Sequence, residues 1–470
     1  MLDTHIAKGL QKLQIEEFDT EAICFEEITK TFGTETTEYL RANGSLVLTA
    51  SALAFKTLTD SSKETSIVFA EKTITKHMTK TQLGYLLQIG IITKKKSLAL
   101  SPRKNVPYMF VHKTIQEFLA SLYIAMHQTD IEDITNAIKS VYCDADSILD
   151  MGQLFIFTCV MCAAERMSKH IMDVITCDME SKLHSISDPT IDRFSTHYFA
   201  QRIVLHGFIE SVANKQPCLQ LKLSHLVLYV GNKNENDALH TLIDMNKSNI
   251  VSIDTKYIFL LQQESSYCVQ EIISQSRDTL SYLRLETAGQ LDLQGLRLKY
   301  LSCGGRSNIS NLDCTCMHTC EINVLTRLSE NCFLQPMSVT GKNIKILKLG
   351  AVQSIDLLRD ALPNLGNLHT LILHSTNFPN TNLYYFSESI RRVVYMNVVV
   401  SAQDVKSMVE WSKSRGACVC CELMECLTSA NNWMDISHWM TQQDGIEITQ
   451  FDFIASLKEI IISLSIKLSK

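Results

Sequence analysis

Residues 108–125 read YMFVHKTIQEFLASLYIA, and the rest of the chain is parsed outward from them. The run opens with apolar residues 108–111, enough for a short strand. It then changes period: Ile115, Phe118, Leu119, Leu122, Tyr123 and Met126 recur at helical spacing. This predicts a helix with one broad apolar stripe, with Gln116, Glu117 and Ala120 lying off it. His112 falls at the strand-to-helix junction, where unpaired backbone N–H groups favour anions. A histidine in that place can equally cap the helix or pack beside it.

The order Phe110, His112, Gln116, Glu117, Phe118, Leu119, Ala120 spells F-x-H-x-x-x-Q-E-F-L-A. It resembles the end of the winged-helix domain in NACHT–leucine-rich-repeat (NOD-like) receptors, the intracellular innate-immune sensors. The resemblance is clearest over residues 46–126, extends over 1–220, and is architectural beyond. It implies that the histidine, here His112, touches the β-phosphate of bound ADP and helps hold a closed state. In the family an ATPase module precedes the winged helix, but this sequence contains no G-x-x-x-x-G-K-[ST] loop. Thr340-Gly341-Lys342 lacks both the upstream glycine and the following hydroxyl. The resemblance therefore implies a truncated relative, with ATP or ADP only in a full-length form. His112 would contact a phosphate only where an ATPase core supplies the rest of the site.

Composition narrows the class. A chain of 470 residues, 46% hydrophobic and 20% charged, is that of a globular protein of two to four domains. Its net charge of −6 argues against a general nucleic-acid binder. The start, MLDTHIAKGLQKLQIEEF, lacks a secretory pattern, and the most apolar stretch, residues 154–164, is too short to span a bilayer. The expected location is cytoplasmic, without membrane partners. There the 16 cysteines should be buried thiols, and the sequons at Asn43, Asn246 and Asn308 should stay unmodified.

Residues 1–44 predict a helical segment, by the resemblance the tail of a first helical domain, with Asn43-Gly44 as its stop. Residues 45–128 have the order expected of a winged helix. A helix runs over 46–58, a short extended piece over 67–69, and Thr79-x-x-Gln82 is a capping box opening a second helix that ends at Gly90. Strands at 91–93 and 98–100 flank Lys94, Lys95 and Lys96 as a wing. With Arg103 and Lys104 these lysines could attract DNA. The second helix offers bases little beyond Gln82, Tyr85 and Gln88, so we read the lysines as keeping a hairpin edge soluble. Residues 129–220 predict a helical domain, with Asp130 capping its first helix and residues 154–164 as its buried centre. Cys159-x-x-Cys162 lies inside that centre and reads as packed core, not as an exposed redox pair.

From residue 221 to 470 the pattern L-x-x-L-x-L recurs in degenerate form. It is present at Leu223/Leu226/Leu228, Leu280/Leu283/Leu285, Leu298/Leu301/Cys303, Ile344/Leu347/Leu349, Leu368/Leu371/Leu373 and Ile390/Val393/Tyr395/Asn397. A weaker copy is placed near Ile322/Leu325 and a last strand at Leu457/Ile460/Ile462, with 418–421 and 446–451 fitting only approximately. Steps of roughly 18 to 24 residues match leucine-rich-repeat periods, and helices fit between strands over 354–362 and 402–411. In such a repeat the leucines point inward and the intervening residues face out on the concave side. That register puts Tyr282, Arg284, Lys348, Ile372, His374, Val394 and Met396 on an exposed recognition face, a mixture suited to protein contacts.

The expected fold class is therefore α/β: a leucine-rich-repeat solenoid preceded by a winged-helix module and an α-helical domain. Cys314, Cys316, His318 and Cys320 lack zinc-site gaps, and the cluster of Cys418, Cys420, Cys421 and Cys426 fares no better, so no metal is expected. Nothing assembles a nucleophile with a base, and no catalysis is expected. The expected function is a truncated intracellular innate-immune sensor or regulator whose repeats bind a protein ligand or family members. The alternatives are a stand-alone repeat scaffold and, with less support, a winged-helix DNA-binding regulator.

Overall fold

A computed structural model of the chain describes residues 43–60, 68–94, 107–161, 164–184, 194–216, 219–229, 231–256, 269–286, 289–304, 307–325, 327–352, 355–374, 388–414, 420–428, 434–435, 438–439, 442, 446–455 and 460–468. The helical segment expected over 1–44, the wing strand at 98–100, residues 95, 96, 103 and 104, Cys162 and Cys418 fall outside the described residues, apart from Asn43 and Gly44. The chain divides into two compact units. One comprises Met1–Met179, Ser195–Leu223 and Gly231–Met245, the other Glu180–Phe194, Ser224–Val230 and Asn246–Lys470.

In the first unit, helix Gly44–Leu58 begins at the Asn43-Gly44 pair. It is followed by β1 (Phe69–Ala70), a single helical turn Glu71–Ile74, and helix Lys80–Gln88. The capping box is formed: the Thr79 side chain accepts from the Gln82 backbone while Gln82 Oε1 accepts from the Thr79 N–H at 2.9 Å. Gly90 leaves that helix at φ +77°, a conformation that costs an L side chain and not glycine. β2 (Ile92–Lys94) and β3 (Pro107–Phe110) complete a three-stranded antiparallel sheet of order β1-β3-β2.

Helix Lys113–Met126 follows β3 and departs from the one-stripe expectation. Gln116, Glu117 and Ala120 are buried, while Ile115, Phe118, Tyr123 and Met126 are only half-buried. The reason is that this helix is clasped on two sides. Tyr123 stacks on Phe55 of helix Gly44–Leu58, and Phe118 meets Phe157 of helix Gly152–Val160 edge-on. Gln116 escapes the cost of burial because its amide donates to Thr57 Oγ1 at 2.9 Å.

Helices Ile131–Val141, Ala145–Asp150, Gly152–Val160, Glu165–His184 and Ser195–Ala213 fill the expected helical region. Asp130 makes no side-chain cap, because it ends a short 3-10 turn. The working cap is Asp144, in a reciprocal capping box with Ser147. Cys159 is fully buried. Gly207 of helix Ser195–Ala213 lies so close that a Cβ there would sit 2.6 Å from Cys159 Sγ.

The second unit is built on a mixed sheet with nine parallel strands, taken up in chain order. They are β4 (His225–Val227), β5 (Ser252–Asp254), β6 (Tyr282–Leu285), β8 (Tyr300–Cys303), β10 (Thr319–Leu325), β11 (Ile346–Val352), β12 (Thr370–His374), β13 (Arg392–Met396) and β14 (Cys420–Thr428). β7 (Gly289–Asp292) and β9 (Ser307–Ser310) form a separate parallel pair. Helices Val269–Gln275, Arg327–Thr340, Ile355–Ala361 and Ala402–Ser414 lie between strands in sequence.

One backbone ladder crosses the parallel strands: Ser281 N–H donates to Val251 O, Lys299 to Ser281, His318 to Lys299, Lys345 to His318, His369 to Lys345 and Arg391 to His369. It fixes a common phase, so the leucine positions share one face. Leu283, Leu301, Cys320, Leu347, Leu371 and Val393 are aligned by pairing and buried.

Three details correct the sequence reading. The weak repeat near Ile322/Leu325 is shifted: Cys320 takes the leucine slot, paired to Leu301 and Leu347, with Met317 before it and Ile322 after it. A buried cysteine behaves as a small hydrophobe and so fills that slot. β5 is a further strand that the pattern omits, carried by Ile250, Ile253 and Thr255. The last two strands, β15 (Ile446–Ala455) and β16 (Ile460–Leu468), do not continue the parallel series; β16 runs antiparallel to both β14 and β15.

Candidate functional site: the polar face of the sheet

Alternation along each strand gives the sheet a second face opposite the leucines. Pairing aligns Tyr282 with Tyr300, Thr319, Ile346, Thr370 and Arg392 in one row. The next row runs from Asp254 and Arg284 through Glu321, Lys348, Ile372 and Val394. His374 and Met396 pair one step further on. The seven residues expected on a recognition face, Tyr282, Arg284, Lys348, Ile372, His374, Val394 and Met396, thus share a face.

Their expected exposure does not hold. Tyr282, Arg284, Ile372, Val394 and Met396 are buried, and only Lys348 and His374 are half-buried. Two causes operate. On the C-terminal strands, Ile346, Ile372, Val394 and Met396 pack on one another with Met424 beside them. On β6 and β8, Glu180 and Phe194 cover the face. Tyr282 OH donates to Glu180 Oε1 at 3.3 Å, and Lys299 Nζ donates to the same oxygen at 2.9 Å. The Phe194 ring lies 4.4 Å below the Arg284 guanidinium and 5.5 Å from the Tyr300 ring.

The polar groups of this face are connected. Asp254 Oδ2 accepts from Arg284 Nη1 at 3.2 Å, which aims the guanidinium at the Phe194 ring. Tyr300 OH donates to Glu321 Oε2 at 2.9 Å. Arg392 and Glu422 make a bidentate pair at 2.8 and 2.7 Å, and Cys420 Sγ–H also donates to Glu422. Burial pushes the Tyr282 phenol up, and the neighbouring Glu180 carboxylate adds to it, so the hydroxyl stays a donor. Burial lowers His374, with Lys348 adding to it, so its imidazole is neutral at physiological pH. Its Nε2 lies 3.3 Å from Asn397 Nδ2.

Sequence reasoning missed Glu180, Phe194, Asp254 and Lys299. Asp254 carried a signal: it stands in the outward slot of the omitted strand. Glu180 and Phe194 carried none, since nothing in their spacing relates them to the sheet.

His112 is exposed at the N-cap of helix Lys113–Met126, where its Nδ1 accepts from Thr114 N–H at 3.3 Å and lies 3.1 Å from Thr114 Oγ1. The ring is thus tied to the first helical turn by one nitrogen. Nearby, burial raises Glu117 above the ordinary carboxylate range, against a lowering by Lys113, whose Nζ lies 3.5 Å away.

Among the described residues no group of three or more His, Cys, Asp and Glu is placed to hold an ion. Cys314 and Cys320 are buried, close enough for Cys314 to act on the Cys320 thiol, and Cys316 is exposed. Burial pushes Cys314 up to about 12 and Cys426 to about 11, leaving both as thiols. Asn43 and Asn246 of the sequons are buried. Among the described residues no helix is long and apolar enough to cross a membrane. In the region expected to form a winged helix, Lys94 is exposed with its Nζ 5.8 Å from the Tyr108 ring centroid. Gln82, a candidate base-reading residue, is committed instead to the Thr79 cap and lies within 3.4 Å of Thr49 Oγ1. Compared with protein-family models and with curated proteins, the chain matches none.

Proposed function

We propose that the chain is a recognition and regulatory protein of the NACHT–leucine-rich-repeat type, without catalysis of its own. Its second unit is read as a degenerate leucine-rich-repeat solenoid that presents the polar sheet face to a protein partner. The observation that carries this is the common phase of the nine parallel strands, which sorts a leucine-like row to one side and Tyr, Arg, Lys, Glu and His, beside the apolar cluster of Ile346, Ile372, Val394 and Met396, to the other. An apolar core with a face rich in aromatic and arginine side chains is the composition of protein-recognition surfaces. In the first unit, the element order and the β1-β3-β2 sheet leading into the His112 motif support a winged-helix module. Such a module would act as a hinge between arrangements of a larger assembly. The intracellular immune role rests on that motif, as does any contact of His112 with ADP or ATP.

The test places a photo-crosslinking amino acid at Lys348 or at His374, with exposed Asn367 as the control. The reading expects discrete protein adducts from the first two sites and none from Asn367, with the captured proteins drawn from immune signalling. Adducts only at Asn367 would refute recognition through this face. Cytoskeletal or trafficking partners would favour the scaffold alternative. A nanomolar complex of the chain with ADP would overturn the non-nucleotide part.

A further inference from the structure

Two residues of this chain, Glu180 within helix Glu165–His184 and Phe194, already occupy the face of β6 and β8, and the manner of occupation describes a ligand. Glu180 and Phe194 belong with the sheet in the second unit. They bring one carboxylate and one phenyl ring to a face that otherwise presents Tyr282, Arg284, Lys299 and Tyr300. The two contacts differ in kind. The Glu180–Lys299 pair is open to water, with 44% and 50% of its side chains exposed, so it holds weakly and depends on salt. Phe194 is only 3% exposed, and its ring stacks beneath a guanidinium that Asp254 holds in place. An aromatic anchor in a closed pocket, ringed by a polar rim, is how protein interfaces concentrate their binding energy.

The opposite face of the same strands is apolar, with Leu283, Leu285, Leu301 and Cys303 fully buried. On the polar face, Asp254–Arg284 is a prebuilt receptor: a buried carboxylate orients the cation, and the cation meets the ring.

We propose that Glu180 and Phe194 act as an internal pseudo-ligand on the Tyr282–Arg284–Lys299–Tyr300 face, and that the partner of this face is a peptide element presenting one carboxylate and one aromatic ring in the same arrangement. The partner gains access by displacing the chain's own carboxylate and ring, so self-occupancy lowers its apparent affinity by the fraction of time the face is free. This rests on the reading of the sheet face as a recognition surface and names the chemistry that surface selects.

The experiment titrates a fluorescent synthetic peptide with the sequence of residues 178–196 against the full chain. Three proteins are compared: the unaltered chain, Glu180→Gln and Phe194→Ala. The expected result is that Glu180→Gln binds the peptide about 3-fold more tightly than the unaltered chain, and Phe194→Ala about 10-fold or more. Peptides in which the glutamate or the phenylalanine is replaced by alanine should lose most of that binding. Adding Arg284→Ala to Glu180→Gln should abolish it. Phe194→Ala removes a buried ring and can unfold the chain, but Glu180→Gln alters a half-exposed carboxylate and keeps the fold. An unchanged affinity in Glu180→Gln therefore overturns the proposal by itself. A dimer of the unaltered chain that the peptide dissociates would also overturn it, since the occupant would then be a second copy. If the peptide fails to bind while adducts at Lys348 and His374 persist, the pseudo-ligand falls and the recognition reading stands.

Discussion

Gly207 shows how much one missing carbon can decide. In the middle of a helix, exchanging glycine for alanine ordinarily gains about 1 kcal/mol from helix propensity. Here the added Cβ would meet Cys159 Sγ at 2.6 Å and Phe155 Cε1 at 2.8 Å, and both of those residues are fully buried. Both side chains are packed in the core, so an overpacking cost of about 1–3 kcal/mol should win. Gly207→Ala should lower the denaturation midpoint, and Gly207→Ala combined with Cys159→Ala should recover part of the loss by vacating the sulfur's place. Midpoints from chemical denaturation check both. Glu117 makes an opposite prediction, because burial raises its folded-state pKa above the ordinary value of 4.5. The folded protein therefore holds this proton where the unfolded chain has released it. The contribution is fully present below the unfolded value and is lost as pH rises through the folded one. Glu117→Gln should thus be more stable than the unaltered chain at pH 7, with the difference shrinking towards pH 4. If melting temperatures show the gap widening on acidification, the Lys113 pair outweighs the burial and the assignment is wrong.

Strand pairs carry the next set of consequences. Arg392 of β13 reaches diagonally to Glu422 of β14, since the register pairs Arg392 with Cys420 and Glu422 with Val394, and both side chains are largely buried, at 14% and 13% exposure. Removing one partner leaves the other charge stranded, at a cost of about 3–5 kcal/mol. Arg392→Met should therefore be severely destabilising, whereas Arg392→Met with Glu422→Leu should regain most of the stability. A double-mutant cycle on unfolding free energies reads the coupling, and additive losses would show that the pair is idle. These charges also show where the sequence was readable. Inward leucine slots were legible because every other residue of a buried strand must be apolar. Substitutes of similar character defeated the pattern twice. Cys320 stood in for leucine, and the last apolar slot of the β5 repeat, just past the strand, is filled by the buried Thr255. The capping box at Thr79 was legible because its chemistry is local, and the Asp144–Ser147 box was missed because serine was not sought at the position usually given to Glu or Gln. The candidate recognition face was legible as a row and not as a surface. Its register follows from alternation within strands, but its burial follows from Glu180, Phe194 and the apolar cluster on β11–β14, which are long-range contacts.

At the scale of the whole sheet, the two ends are closed differently. The N-terminal edge is β4, three residues long and too short to template another strand. The other end of the parallel series is β14, nine residues long, which would offer a full row of backbone donors and acceptors. β16 covers it in antiparallel pairing from Cys420↔Lys467 to Thr428↔Ile460, with a register shift between Leu423 and Cys426. The exposed Glu425 lies within that shift at φ +52°, a conformation that bends the strand. The β15–β16 hairpin thus serves as the cap that a stack of parallel strands requires. Deleting residues 443–470 should uncover β14 and turn the chain into a self-associating species, seen as higher-mass peaks in light scattering coupled to size-exclusion chromatography. Adding Met424→Lys, at a half-buried position on the uncovered strand, should suppress that association, because a lysine on an edge strand opposes pairing with a second copy. A truncated chain as monodisperse as the intact one would mean that β14 is shielded without the hairpin, and the capping role would be lost.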